Sequence, residues 1–121
     1  MSEVFTSDNL LIAGPHHADV GTCVVDGLGT AATYKRGTVL GRNDAGDVII
    51  LDTPALNDSN TAEYILAQDT EIGTSDTVAE VYRSGDFNED YLIVASGYTL
   101  TEADRRNLKK VGIYLQKGIT V

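Results

Sequence analysis

From residue 20 onward the chain is built of short apolar runs cut by glycine and small polar residues. Thr22-Cys23-Val24-Val25 is a β-branched run closed by Asp26-Gly27, and Thr38-Val39-Leu40 lies between Gly37 and Gly41. Asn43-Asp44-Ala45-Gly46 has turn chemistry, and Asp47-Val48-Ile49-Ile50-Leu51 returns from it, so residues 38–51 read as a hairpin. Pro54 cannot donate to a ladder and ends that strand; Asn57-Asp58-Ser59-Asn60 is a loop. Glu63-Tyr64-Ile65-Leu66-Ala67 is a further strand. Residues 77–83 alternate by two, with Val78, Glu80 and Tyr82 on one face and Ala79, Val81 and Arg83 on the other. Ser84-Gly85-Asp86 reads as a turn, and Tyr91-Leu92-Ile93-Val94 as the strand after it.

One segment has helical chemistry. Thr101-Glu102-Ala103-Asp104 is a capping pattern, with Thr101 placed to accept from the Asp104 amide. Acids at the start and Lys109 and Lys110 at the end complement the helix dipole, and Gly112 supplies a left-handed stop. Leu100, Ala103, Leu108 and Val111 make its apolar stripe. Ile113-Tyr114-Leu115 follows as a last strand, with Ile119 and Val121 in the tail. Many short strands, dense glycine and one late helix predict a small, mainly β domain with a partly closed barrel.

Residues 1–20 differ from the rest. Val4-Phe5 and Leu10-Leu11-Ile12 are apolar, yet they sit in a polar stretch interrupted by Gly14-Pro15 and followed by His16-His17. This pattern predicts a tethered arm with sticky residues, joined to one domain over residues 21–121. The start carries an acid and no basic residues, so it does not read as a signal peptide, and no apolar run is long enough for a membrane helix.

Charge narrows the partners. Nine basic against 18 acidic residues give −9, spread evenly along the 121 residues. That balance disfavours nucleic acid and anionic membranes, both of which reward cations. A single cysteine excludes an internal disulfide and an all-cysteine zinc site, and fits a reducing compartment.

No catalytic pattern in the sequence is complete. Gly27-Leu28-Gly29-Thr30-Ala31-Ala32 matches G-x-G-x-x-A, but strand-like residues follow where a phosphate site needs a helix. Asp86-Phe87-Asn88-Glu89-Asp90 starts like a calcium loop, but Tyr91 and Gly97 occupy the positions that need Gly and Glu. Adjacent His16 and His17 point apart in an extended chain, and no partner ligands accompany them. Cys23 has no base beside it in sequence and reads as a small buried apolar residue. Spacing singles out no carboxylate pair for acid–base work. The reading is therefore not an enzyme, with no catalytic residues, metal or cofactor, and favours a binding or assembly part.

Three stretches carry a likeness. Tyr34-Lys35-Arg36-Gly37-Thr38-Val39-Leu40-Gly41-Arg42, then Tyr64-Ile65-Leu66-Ala67-Gln68-Asp69, then Tyr82-Arg83-Ser84-Gly85-Asp86-Phe87-Asn88-Glu89 occur in that order. They follow an arm containing Asn9-Leu10-Leu11-Ile12-Ala13-Gly14 and precede Gly112-Ile113-Tyr114-Leu115. Over nearly its whole length the chain resembles the bacteriophage lambda head decoration protein D family. It departs from the family pattern after Gly14, where Pro15-His16-His17 follow.

The resemblance implies a β-clip-like fold: a bent ribbon, a small incomplete barrel and one C-terminal helix. It implies a capsid cement protein of the virion's outer surface, met in the host cytoplasm during assembly. Trimers of such proteins sit on the expanded head at three-fold and quasi-three-fold positions and resist the pressure of packaged DNA. The partners implied are two further copies and the major capsid protein, gripped by an arm mobile in the free trimer. Carried onto this chain, the arm spans residues 2–15 and its anchors are Val4, Phe5, Leu10, Leu11 and Ile12. Two alternatives stand beside this reading. One is another virion module, such as a tail or fibre component. The other is a trimeric β-clip nucleotide hydrolase of the deoxyuridine triphosphatase type, whose Gly-Tyr-Asp motif is approached only by Gly97-Tyr98-Thr99.

Overall fold

The computed structural model describes residues 12, 18–43, 45–51 and 61–116. Eight strands run in chain order: β1 (Asp19–Val25), β2 (Ala32–Tyr34), β3 (Val39–Arg42), β4 (Val48–Ile50), β5 (Thr61–Leu66), β6 (Thr70–Ile72), β7 (Thr77–Asn88) and β8 (Ile113–Gln116). One α-helix, α1 (Glu102–Lys110), precedes β8. The main sheet has the order β1-β4-β3-β5-β7-β8, and β1 also pairs with β7, so five strands close into a barrel with β8 outside it. β2 and β6 form a separate antiparallel pair. The architecture is the expected one, mainly β with a small barrel and one late helix.

Closure is uneven around the ring. β1 and β7 pair along seven registered positions, whereas β1 meets β4 only at Val25 and Val48. The amide of Asp26 donates to the Val48 carbonyl at 2.8 Å and extends that seam by one bond.

Three adjacent pairs of buried residues show how the core is divided. Val39, Ile65 and Tyr82 belong to one cluster with Leu51, Ala62, Phe87, Leu108 and Ile113. Their chain neighbours Leu40, Leu66 and Val81 belong to a second with Val25, Val48, Ile72 and Ala79. Successive strand side chains point to opposite faces, so the central strands β3, β5 and β7 are covered on both. The second cluster draws on all five barrel strands and fills the barrel; the first lies under α1 and β8. A bulge helps: Leu40 pairs with Tyr64 and Gly41 with Ala62, leaving Glu63 as the extra residue. The shift of parity brings Ala62 and Ile65 to the same cluster.

The predicted hairpin is β3–β4. Asn43 closes it, accepting at Oδ1 from the amides of Ala45 (3.0 Å) and Asp47 (2.9 Å), and Gly46 supplies a φ of +88°. The capping box on α1 is also present, with Thr101 accepting from the Asp104 amide and Asp104 accepting from that of Thr101. No helix follows Gly27-Leu28-Gly29; the chain runs through coil into β2.

Several expectations are corrected. Ser84-Gly85-Asp86 is no turn: β7 continues through it to Asn88, changing partners from antiparallel β1 to parallel β8 at Gly85. Gly85 takes a φ of +134°, and a Cβ there would meet Ala18 Cα at 3.0 Å, so the strand bends under the crossing chain. Residues 91–94 form no strand. Glu89–Tyr91 is a 3-10 turn capped by Asn88, and Ile93 makes only an isolated bridge to Thr38. On α1 the buried positions are Asp104 and Leu108, while Val111 is exposed. Cys23 is half-buried rather than enclosed. Pro54, residues 57–60, His16, His17, Ile119 and Val121 lie outside the described residues.

Candidate capsid-binding face

Of the five arm residues singled out as anchors, Val4, Phe5, Leu10 and Leu11 lie outside the described residues. Ile12 is described: it forms an isolated antiparallel bridge with Phe87, and its side chain is 37% exposed. Phe87 itself is fully buried and pairs on its other side with Leu115 of β8. Three features thus follow the second half of β7. Ala18 lies against Gly85, Ile12 stands beside Phe87, and β8 runs along the opposite edge. The chain approaching β1 is anchored where β7 has bent away from the barrel.

Exposed apolar residues missed by the sequence reading flank this place. Tyr114 on β8 is registered with Asp86 and is 39% exposed. Val111, at the end of α1, is exposed too. A recess of about 200 Å³ is lined by Arg105, Lys109, Ile113, Tyr114 and Leu115. Arg105 is committed elsewhere, donating to both carboxylate oxygens of Glu89 at 2.8 Å. Alternation in a strand as short as β8 marks Tyr114 as the outward residue, but its 39% exposure is set by the tertiary structure.

The residues that carry the family likeness are mostly structural. Arg36 donates to the Tyr82 hydroxyl at 2.7 Å, and its amide donates to Asp69 at 2.8 Å. Arg42 donates to Glu63 Oε2 at 2.7 Å and to the Gly46 carbonyl at 2.8 Å. The three motif stretches therefore meet one another through these bonds, and Asn88 and Glu89 fix the 3-10 turn and the helix beside it.

A second recess, of about 360 Å³, sits at the β1–β4 seam, lined in part by Cys23, Val24, Asp26, Asp47 and Asp76. Sequence spacing had singled out no carboxylate group, because Asp26, Asp47 and Asp76 converge only through the fold. Partial desolvation raises the Asp26 pKa above its ordinary value, and the like charge of Asp47 and a hydrogen bond with Asp76 raise it further. Burial likewise pushes the Cys23 thiol up, against the pull of Arg42, so at neutral pH it is a protonated thiol and a poor nucleophile. Among the described residues, no group of three or more His, Cys, Asp or Glu side chains is arranged to hold a metal ion.

The family model of bacteriophage lambda head decoration protein D matches residues 1–113. The chain belongs to this family. No curated protein matches it. The head decoration family is one of structural capsid proteins, not of enzymes. The role of this member is accordingly capsid decoration, its partner the phage capsid and its place the virion.

Proposed function

We propose that the chain is a homotrimeric cement for the expanded phage head, held by its N-terminal arm. The family match carries this reading, because it includes the arm as well as the barrel. The trimer sits on the outer surface at three-fold and quasi-three-fold positions, after the free protein has assembled in the host cytoplasm. Its partner there is the major capsid protein.

The physics is linkage. A ligand that binds only the expanded lattice stabilises that lattice and adds nothing to the immature one, so it opposes rupture under packaged DNA. Each arm lays an extended segment beside a capsid-protein strand, with Val4, Phe5, Leu10, Leu11 and Ile12 as the apolar anchors. Each large anchor contributes about 1.5–3 kcal/mol on burial, before ordering costs. One arm is weak by that measure. Three on one trimer engage together, because the second and third bind at high effective concentration.

Imaging purified protein mixed with expanded, undecorated heads tests the reading. The full chain is expected to coat the three-fold positions, and a chain lacking residues 2–13 is expected to stay a folded trimer that does not. Wild-type occupancy by the truncated chain would overturn the arm assignment.

A further inference from the structure

The two ends of β7 carry surfaces of opposite character. At the near end Val24 of β1 pairs with Val78 of β7, and they are 52% and 66% exposed. Asp26 and Asp76 flank this pair in sequence, and with Val24 and Asp47 they line one recess. At the far end, eight residues and about 26 Å further along the strand, Asp86 pairs with Tyr114. There Tyr114 and Val111 are exposed, and Tyr114 shares a recess with Lys109. Helix α1 holds four of the nine cations and two of the 18 acids, so it is the net-positive element, at +2, of a chain whose remainder carries −11. Its exposed Arg106, Lys109 and Lys110 have no carboxylate partner among the described residues, unlike Arg42 and Arg105.

Each end is therefore an apolar kernel beside a predominance of one sign: three carboxylates against Arg42, itself held by Glu63, at the near end, and the cations of the last turns of α1 at the far end. The two ends are too far apart to meet within a chain. A closed ring of three requires two unlike, complementary surfaces on every copy.

We propose that copies of this chain join head to tail, Tyr114 and Val111 of one seated against Val24 and Val78 of the next, with the α1 cations facing Asp26, Asp47 and Asp76. The proposal rests on the trimer reading above and names the surfaces that would build it. Tyr114 is the anchor, since a half-exposed tyrosine brings a large rigid area at little entropic cost. The charges set register and exclude the like-end pairing, which would oppose cation to cation.

Sedimentation equilibrium of the full chain at two salt concentrations tests this, with circular dichroism to confirm folding. The wild type is expected to be a trimer that weakens as salt screens the rim. Lys109→Glu with Lys110→Glu is expected to raise the dissociation constant about tenfold or more, and adding Asp26→Lys with Asp47→Lys is expected to recover most of the loss. Val78→Asp, at a site too exposed to disturb the core, is expected to weaken association by a similar factor. Trimers unaffected by any of these changes would overturn the head-to-tail contact and leave the trimer standing. Lysine variants that remain trimeric but fail to coat heads would assign α1 to the shell and overturn it too. A monomeric wild type would overturn both the contact and the trimer.

Discussion

Gly85 shows how much one residue decides. Its sequence context, Ser84-Gly85-Asp86, has turn composition, yet the glycine is used inside a strand, at a φ of +134° and under Ala18. A side chain there is strained twice, by the backbone conformation and by a Cβ 3.0 Å from Ala18 Cα. Gly85→Ala is expected to cost about 1–3 kcal/mol, read as a lower urea midpoint with an unchanged slope. A cost of a few tenths would mean that the crossing chain yields easily. Asp104 makes the complementary point. Its capping role is visible from Thr101 three residues earlier, but its complete burial, with the Tyr98 hydroxyl donating to it, is not. Helical spacing cannot predict a buried acid, because the hydroxyl that donates to its Oδ2 comes from a loop outside the helix.

At the scale of elements, the β1–β4 seam is the ring's thinnest join and has three carboxylates beside it. Asp26 has a folded-state pKa raised above 3.8, so the folded chain holds that proton more tightly than the unfolded one. Its charge therefore opposes folding at neutral pH, and the penalty fades as pH falls through the raised value toward 3.8, vanishing below it. Asp47 and Asp76 act in this direction, the Gly27 amide acts against it, and Arg42 in the same recess is held by Glu63. Asp26→Asn is expected to be more stable than the wild type at pH 7, with the difference closing below about pH 4. Urea midpoints at the two pH values measure it, and a variant less stable at pH 7 would show that the carboxylate is needed by the seam. β7 teaches the converse lesson about elements. Its alternation was legible, but Tyr82 is buried while Val78 and Glu80 on the same face are open, because α1 and β8 cover only part of the strand.

For the whole molecule, the proposed function turns on the arm. If the arm's apolar residues grip the capsid, Leu11→Asp should weaken decoration of expanded heads far more than Asp44→Ala, a change of charge in the β3–β4 turn. Occupancy counted from images of particles checks this, and equal effects would contradict an apolar anchor.

Reading along the chain was enough for the strand-rich class, the β3–β4 hairpin and the capped helix. Each of these depends on local chemistry, namely alternation, turn residues and caps, which neighbouring positions display. The bend in β7, the two cores either side of β3, β5 and β7, and the gathering of Asp26, Asp47 and Asp76 arise from the folding of the chain as a whole. Those features join residues tens of positions apart, and what governs them is which strand pairs with which, a choice made by packing the whole barrel at once.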